Sequence, residues 1–113
     1  MKYPNLSQKY QNYKKKNIAL IGHMGSGKSL IGKLIANRLS KEHIDSDKEI
    51  EKKMENSIQK IFETLGETKF RQIEEKVILS LKNKKNIVLS LGGGSILSNK
   101  VRHLLNNQFI TLF

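Results

Sequence analysis

The 113-residue sequence predicts an α/β protein, a parallel β-sheet with helices on both faces. Two observations carry that expectation. Short apolar runs with β-branched residues alternate with longer segments whose apolar residues recur at helical spacing. Each cluster of glycine or acidic residues follows directly on a strand-like run, and parallel sheets bind ligands at the carboxyl ends of their strands.

Taken in order, residues 1–16 are polar, rich in Tyr, Asn, Gln and Lys, and hold the one proline, Pro4; they read as a flexible basic leader. The folded domain is expected over 17–113. Ile18 to Ile21 is a strand, and the helix that starts at Lys28 has Leu30, Ile31, Leu34, Ile35 and Leu39 as its apolar positions. His43, Ile44 and Asp45 form a short second strand, after which Ser46 or Asp47 caps a helix from about Lys48 to Met54. Ser57 caps a short helix through Phe62 that stops at Gly66. A longer helix runs from Glu67 to about Lys82, with Phe70, Ile73, Val77, Ile78 and Leu81 on one face. Asn86 to Leu91 is a third strand, Ser98 caps a helix through about Leu105, and Gln108 to Phe113 is a fourth strand. A chain that stops on an apolar strand leaves a half-covered sheet and an exposed edge, so the sequence is expected to be incomplete.

Composition narrows the function. There is no cysteine, hence no disulfide and no thiolate metal site, which fits a reducing cytoplasm. No apolar run approaches the ~20 residues of a membrane span, so no membrane partner is expected. Twenty-one Lys and Arg against ten Asp and Glu leave a net charge of +11. The lysines are scattered, the arginines are only Arg38, Arg71 and Arg102, and no RNA-binding aromatic signature appears; a solvated basic surface is expected, with no specific nucleic-acid partner.

Four constellations carry chemistry. Gly22, four residues, then Gly27, Lys28 and Ser29 obey the phosphate-loop rule. Backbone N–H groups close round a polyphosphate only where side chains are absent, at Gly22, Gly25 and Gly27, with Ser26 between. The helix that Lys28 opens adds its positive end, the lysine reaches the β- and γ-phosphates, and the Ser29 hydroxyl is placed for Mg²⁺. Asp45 and Asp47, the only aspartates, lie two apart past a strand, so in extended geometry both face one cleft. The third strand ends in Ser90, Leu91 and glycine, which leaves Asp45 as the Mg²⁺ carboxylate; the alternative is that the two aspartates merely cap the next helix. Glu74 falls within the apolar arc of its helix and needs a partner, which Arg71 can supply; an intrahelical ion pair alone also explains them. Gly92, Gly93 and Gly94 form either a strand-to-helix turn or a backbone approach to a ligand.

Together G-H-M-G-S-G-K-S, D-S-D, I-F-E-T-L-G-E-T-K-F-R-Q-I-E-E and V-L-S-L-G-G-G resemble shikimate kinase, over nearly everything from Asn17 to Phe113. The resemblance implies a three-layer P-loop NTPase-like fold and transfer of the ATP γ-phosphate to the 3-hydroxyl of shikimate with Mg²⁺, by a cytoplasmic monomer. It implies that Lys28 meets the transferring phosphate and that Ser29, and Asp45 through water, hold Mg²⁺. It further implies that Asp47 binds the substrate hydroxyls and acts as base, Arg71 holds the shikimate carboxylate, Glu74 orients that arginine, and Gly92 to Gly94 line the substrate pocket. Leu30 occupies a phosphate-binding position where the family commonly has Thr or Ser, and Glu55 stands where it usually has glycine. The family continues into a further strand, a lid with a catalytic arginine and an adenine-binding segment, so this chain alone is expected to be feeble. Rival readings are a gluconate kinase-like enzyme and a non-catalytic nucleotide or polyanion binder.

Overall fold

The computed structural model describes residues 16–22 and 27–112. The elements in chain order are β1 (Asn17–Gly22), α1 (Lys28–Leu39), β2 (Glu42–Asp45), α2 (Ser46–Met54), α3 (Ile58–Leu79), β3 (Ile87–Gly92), a 3₁₀ turn (Gly93–Leu97), α4 (Asn99–Gln108) and β4 (Phe109–Leu112). The four strands form one sheet in the order β2-β3-β1-β4, every pair parallel. The leader 1–15, Phe113, and Gly25 and Ser26 of the expected phosphate loop lie outside the described residues.

Strand alternation divides the core between the two faces of the sheet. Ile18, Leu20 and Val88 point to one face and pack with Ala36 and Leu39 of α1. Ala19, Ile21, Leu89 and Leu91 point to the other and meet Ile78 of α3 and Val101, Leu104 and Leu105 of α4. A third cluster of Ile50, Ile61, Phe70 and Val77 joins α2 to α3. At ~1.5–3 kcal/mol for each large apolar side chain buried, these clusters hold the helices on the sheet.

The inner face of α1 differs from the expected one. Leu30, Ile31 and Leu34 are 64%, 48% and 58% exposed, and of the five expected apolar positions only Leu39 is buried. The helix instead turns Gly32, Ala36 and Leu39 inward, at i, i+4 and i+7. The reason is steric. A Cβ on Gly32 would lie 2.6 Å from His43 Nε2 and 2.6 Å from Ser90 Oγ, which are themselves 2.8 Å apart. Small residues let the helix approach this polar pair, and a pattern counted on large apolar residues cannot find such a face.

Other boundaries shift for local reasons. The cap of α2 is Asp45, not Ser46 or Asp47: its carboxylate accepts from the N–H groups of Asp47 and Lys48. Ser57 caps α3, and the expected break at Gly66 is present: with φ 83° and ψ 169° its backbone is not helical, so Ile58–Leu79 is two helical segments meeting at a kink. That helix ends at Leu79 rather than Lys82, while α4, capped by Ser98, continues to Gln108. Glu55 closes α2 at φ 53° and ψ 40°, a left-handed conformation that explains why glycine suits this position.

Two substitutions test these assignments. Gly32→Ala should destabilise the protein by about 1–3 kcal/mol, because α1 must move off His43 and Ser90; the urea midpoint should fall with an unchanged slope. Glu55→Gly should raise the thermal midpoint, since relief of left-handed strain is worth roughly 1 kcal/mol; a lower midpoint would disprove the strain.

Candidate active site

The two central strands end side by side in glycine, Gly22 of β1 in register with Gly92 of β3. A floor without side chains thus opens at the carboxyl edge of the sheet. Gly27 has φ 80° and ψ 11°, a left-handed conformation natural to glycine, and carries no side-chain cap. Lys28 begins α1 directly after it, so the positive end of the helix sits at this edge. Leu30 turns an exposed apolar side chain outward and brings only a backbone N–H to this end.

Asp45 connects α1 to α2. Its Oδ2 accepts a 2.5 Å hydrogen bond from Ser29 Oγ, and its Oδ1 accepts from Asp47 N at 2.9 Å and Lys48 N at 3.4 Å. Asp45 therefore caps α2 and at the same time holds the hydroxyl of Ser29. A hydroxyl and a carboxylate oxygen held together are hard donors of the kind Mg²⁺ takes, one or two from protein and the rest from water and phosphate. Asp47 is not extended as expected but lies in the first turn of α2. Its Oδ1 is 4.0 Å from where a Cβ on Gly92 would stand, so it faces the glycine tip of β3.

The second half of the site is built on α3. Glu74 is 3% exposed, and Arg71 Nη1 donates to its Oε1 at 2.9 Å. Burial raises the pKa of Glu74, the Arg71 hydrogen bond and charge oppose that rise, and the charge of Asp47 adds to it. The guanidinium lies 5.3 Å from the centre of the Phe70 ring, which in turn packs on Phe62 with centroids 5.4 Å apart. A methyl group on Gly94 would overlap the guanidinium, so at Gly94 the turn after β3 passes close against Arg71. A cavity of about 410 Å³ opens beside Arg71, lined among others by Glu67, Thr68, Gln72, Gly94 and Leu97.

The structure brings sequence-derived residues together in pairs: Ser29 with Asp45, Asp47 with Gly92, and Arg71 with Gly94 and Glu74; the Lys28 side chain lies outside what is described. Sequence reasoning missed Phe70 beneath the guanidinium and the 2.5 Å hydrogen bond from Ser98 to Glu75 that ties α4 to α3. The first had a faint signal in its place next to Arg71. The second had none, because its partners are 23 residues apart.

The ion pair generates a pH-dependent prediction. Arg71→Ala leaves a buried carboxylate without its cation, at a cost of about 2 kcal/mol at neutral pH; fully buried pairs cost more, but Arg71 is one-third exposed. A carboxyl whose folded pKa is raised destabilises the fold as pH climbs from its ordinary value through the folded one, and adds no penalty below. The deficit of the variant should therefore shrink on acidification to roughly pH 4, and Glu74→Gln should relieve it at neutral pH. Urea unfolding across that range is the measurement; a deficit independent of pH would assign Arg71's contribution to packing on Phe70.

The family model for shikimate kinase matches residues 24–113. Relatives include the shikimate kinases of Buchnera aphidicola subsp. Baizongia pistaciae, 48% identical over 99 residues, and Caldicellulosiruptor bescii, 48% identical over 98 residues. The alignments take in 88% and 87% of this chain and 57% of each relative, so the chain spans a little over half the length of the curated relatives it matches. Among solved structures, shikimate kinase from Acinetobacter baumannii in complex with shikimate superposes with a TM-score of 0.82 at 39% identity, covering 90% of this chain and 57% of that one. The Aquifex aeolicus enzyme gives 0.77 at 38% identity, covering 84% and 56%. On the family match across most of its length, the chain belongs to the shikimate kinase family.

Proposed function

We propose that this chain carries the phosphate loop and much of the acceptor site of an enzyme that transfers the γ-phosphoryl group of ATP to the 3-hydroxyl of shikimate. The observation that carries the reading is the Arg71–Glu74 pair packed against Gly94, just past the glycine tip of β3 that Asp47 faces, with Ser29 bonded to Asp45. Donor and acceptor would meet between these groups.

In this reading Gly22, Gly25, Ser26, Gly27 and the first-turn N–H groups of α1, Leu30 included, cradle the phosphates, and Lys28 follows the transferring group. Ser29, and Asp45 through water, hold Mg²⁺, which when bound neutralises charge on the phosphate oxygens. Arg71 grips the acceptor carboxylate with a planar pair of hydrogen bonds and Glu74 holds the guanidinium plane. Gly92 to Gly94 let the acceptor ring approach the backbone. Asp47 takes the proton from the 3-hydroxyl as its oxygen bonds to the γ-phosphorus; the bond from that phosphorus to the β,γ-bridging oxygen breaks, and ADP leaves. Positioning supplies most of the catalysis.

We read the working state as a monomer in the cytoplasm, without a specific nucleic-acid or membrane partner. Among the described residues no helix is long and apolar enough to cross a membrane.

An ADP-release assay with ATP, Mg²⁺ and shikimate tests the assignment. Asp47→Asn should lower kcat by about 10²-fold or more with little change in ATP binding. Arg71→Ala should raise the KM for shikimate roughly 10- to 100-fold, the worth of a charged hydrogen-bond pair. Consumption of gluconate instead of shikimate, or binding of ATP and RNA with no transfer to any acceptor, would overturn the reading.

A further inference from the structure

Arg71 is held on three sides. Glu74 accepts from Nη1 at 2.9 Å, the Phe70 ring lies 5.3 Å from Cζ, and the backbone of Gly94 abuts the guanidinium. The fourth side is different: Nε is buried and makes no hydrogen bond. A buried donor on a charged group without an acceptor is costly, so an acceptor within reach should be drawn to it.

One such acceptor stands close by. Glu67 Oε1 is 4.0 Å from Nε, too long for a hydrogen bond and within a side-chain rotation of one. The Glu67 side chain is 65% exposed, lines the same cavity as Arg71, and lies one helical turn before it. It also follows directly on the Gly66 kink, where the backbone leaves helical geometry, so the kink sets the direction from which the carboxylate approaches. Glu74 and Glu67 thus address different edges of one guanidinium, Nη1 and Nε. The remaining N–H groups, on Nη2 and the outer side of Nη1, are those a ligand carboxylate needs for a two-bond grip.

We infer that Glu67 is a positioning residue for the acceptor: it accepts the Arg71 Nε–H and, with Glu74, locks the guanidinium plane so that the Nη edge is presented to the acceptor carboxylate. This rests on the kinase reading for its consequence, but not for the contact itself. Locking one torsional freedom before binding improves acceptor binding and leaves the phosphoryl-transfer step alone.

Two measurements separate the contact from the activity. Nitrogen-15 NMR of the side-chain Nε–H of Arg71 should show solvent exchange slowed about tenfold or more in the wild type and in Glu67→Gln, whose amide oxygen still accepts, with the protection lost in Glu67→Ala. Steady-state kinetics should show the shikimate KM rising about 5- to 20-fold in Glu67→Ala with kcat within about twofold, largely rescued in Glu67→Gln; Glu63→Ala, one turn earlier on the same helix, should match the wild type. Equal Nε–H protection in the wild type and Glu67→Ala, or tighter shikimate binding once Glu67 is removed, would overturn the inference. If shikimate added to the wild type leaves the Arg71 side-chain resonances unchanged, the acceptor reading of Arg71 fails, and the exchange measurement in the free protein still decides whether Glu67 holds Arg71.

Discussion

The arrangement of the site depends on the carboxylate of Asp45. One oxygen accepts the first amides of α2 and thereby sets where Asp47 stands; the other accepts the hydroxyl of Ser29 in the first turn of α1. A single side chain at the end of β2 thus couples the helix that follows the phosphate loop to the helix that carries the second aspartate. Because β2 pairs with β3, with Asp45 in register with Ser90, the same residue is anchored to the strand whose glycine tip Asp47 faces.

The Arg71–Glu74 side obeys a different constraint, the burial of charge. Glu74 lies on the packed face of α3 among Phe70, Val77 and Ile78, where a carboxylate is tolerated only with a cation against it. Arg71 supplies that cation and remains one-third exposed, so it can serve a buried partner and an open cavity together. The arginine is confined from several directions, by Glu74, the Phe70 ring and the backbone at Gly94. A guanidinium confined in this way loses little freedom when it grips a ligand.

The exposed side of α1 shows how packing overrides composition. By residue type, Leu30, Ile31 and Leu34 are the apolar face; by position, the helix buries Gly32, Ala36 and Leu39. The His43 and Ser90 pair beneath leaves room only for small residues, and close approach to the sheet outweighs the area the larger side chains would bury on that side.

Much of this was legible without coordinates, because it depends on local rules. Glycine spacing, alternation of strands and helices, the Ser57 and Ser98 caps, and the apolar arc containing Glu74 each follow from conformational preference or helical period within a short window. The amino-acid sequence by itself determined the α/β class, the phosphate-loop pattern and the candidate residues. Only the tertiary structure decided that Asp45 caps α2 while holding Ser29, that Gly94 must be bare to admit Arg71, and that α1 turns its small residues inward. Those outcomes involve groups from separate elements competing for the same few ångströms, and no spacing along one segment encodes how another will pack against it.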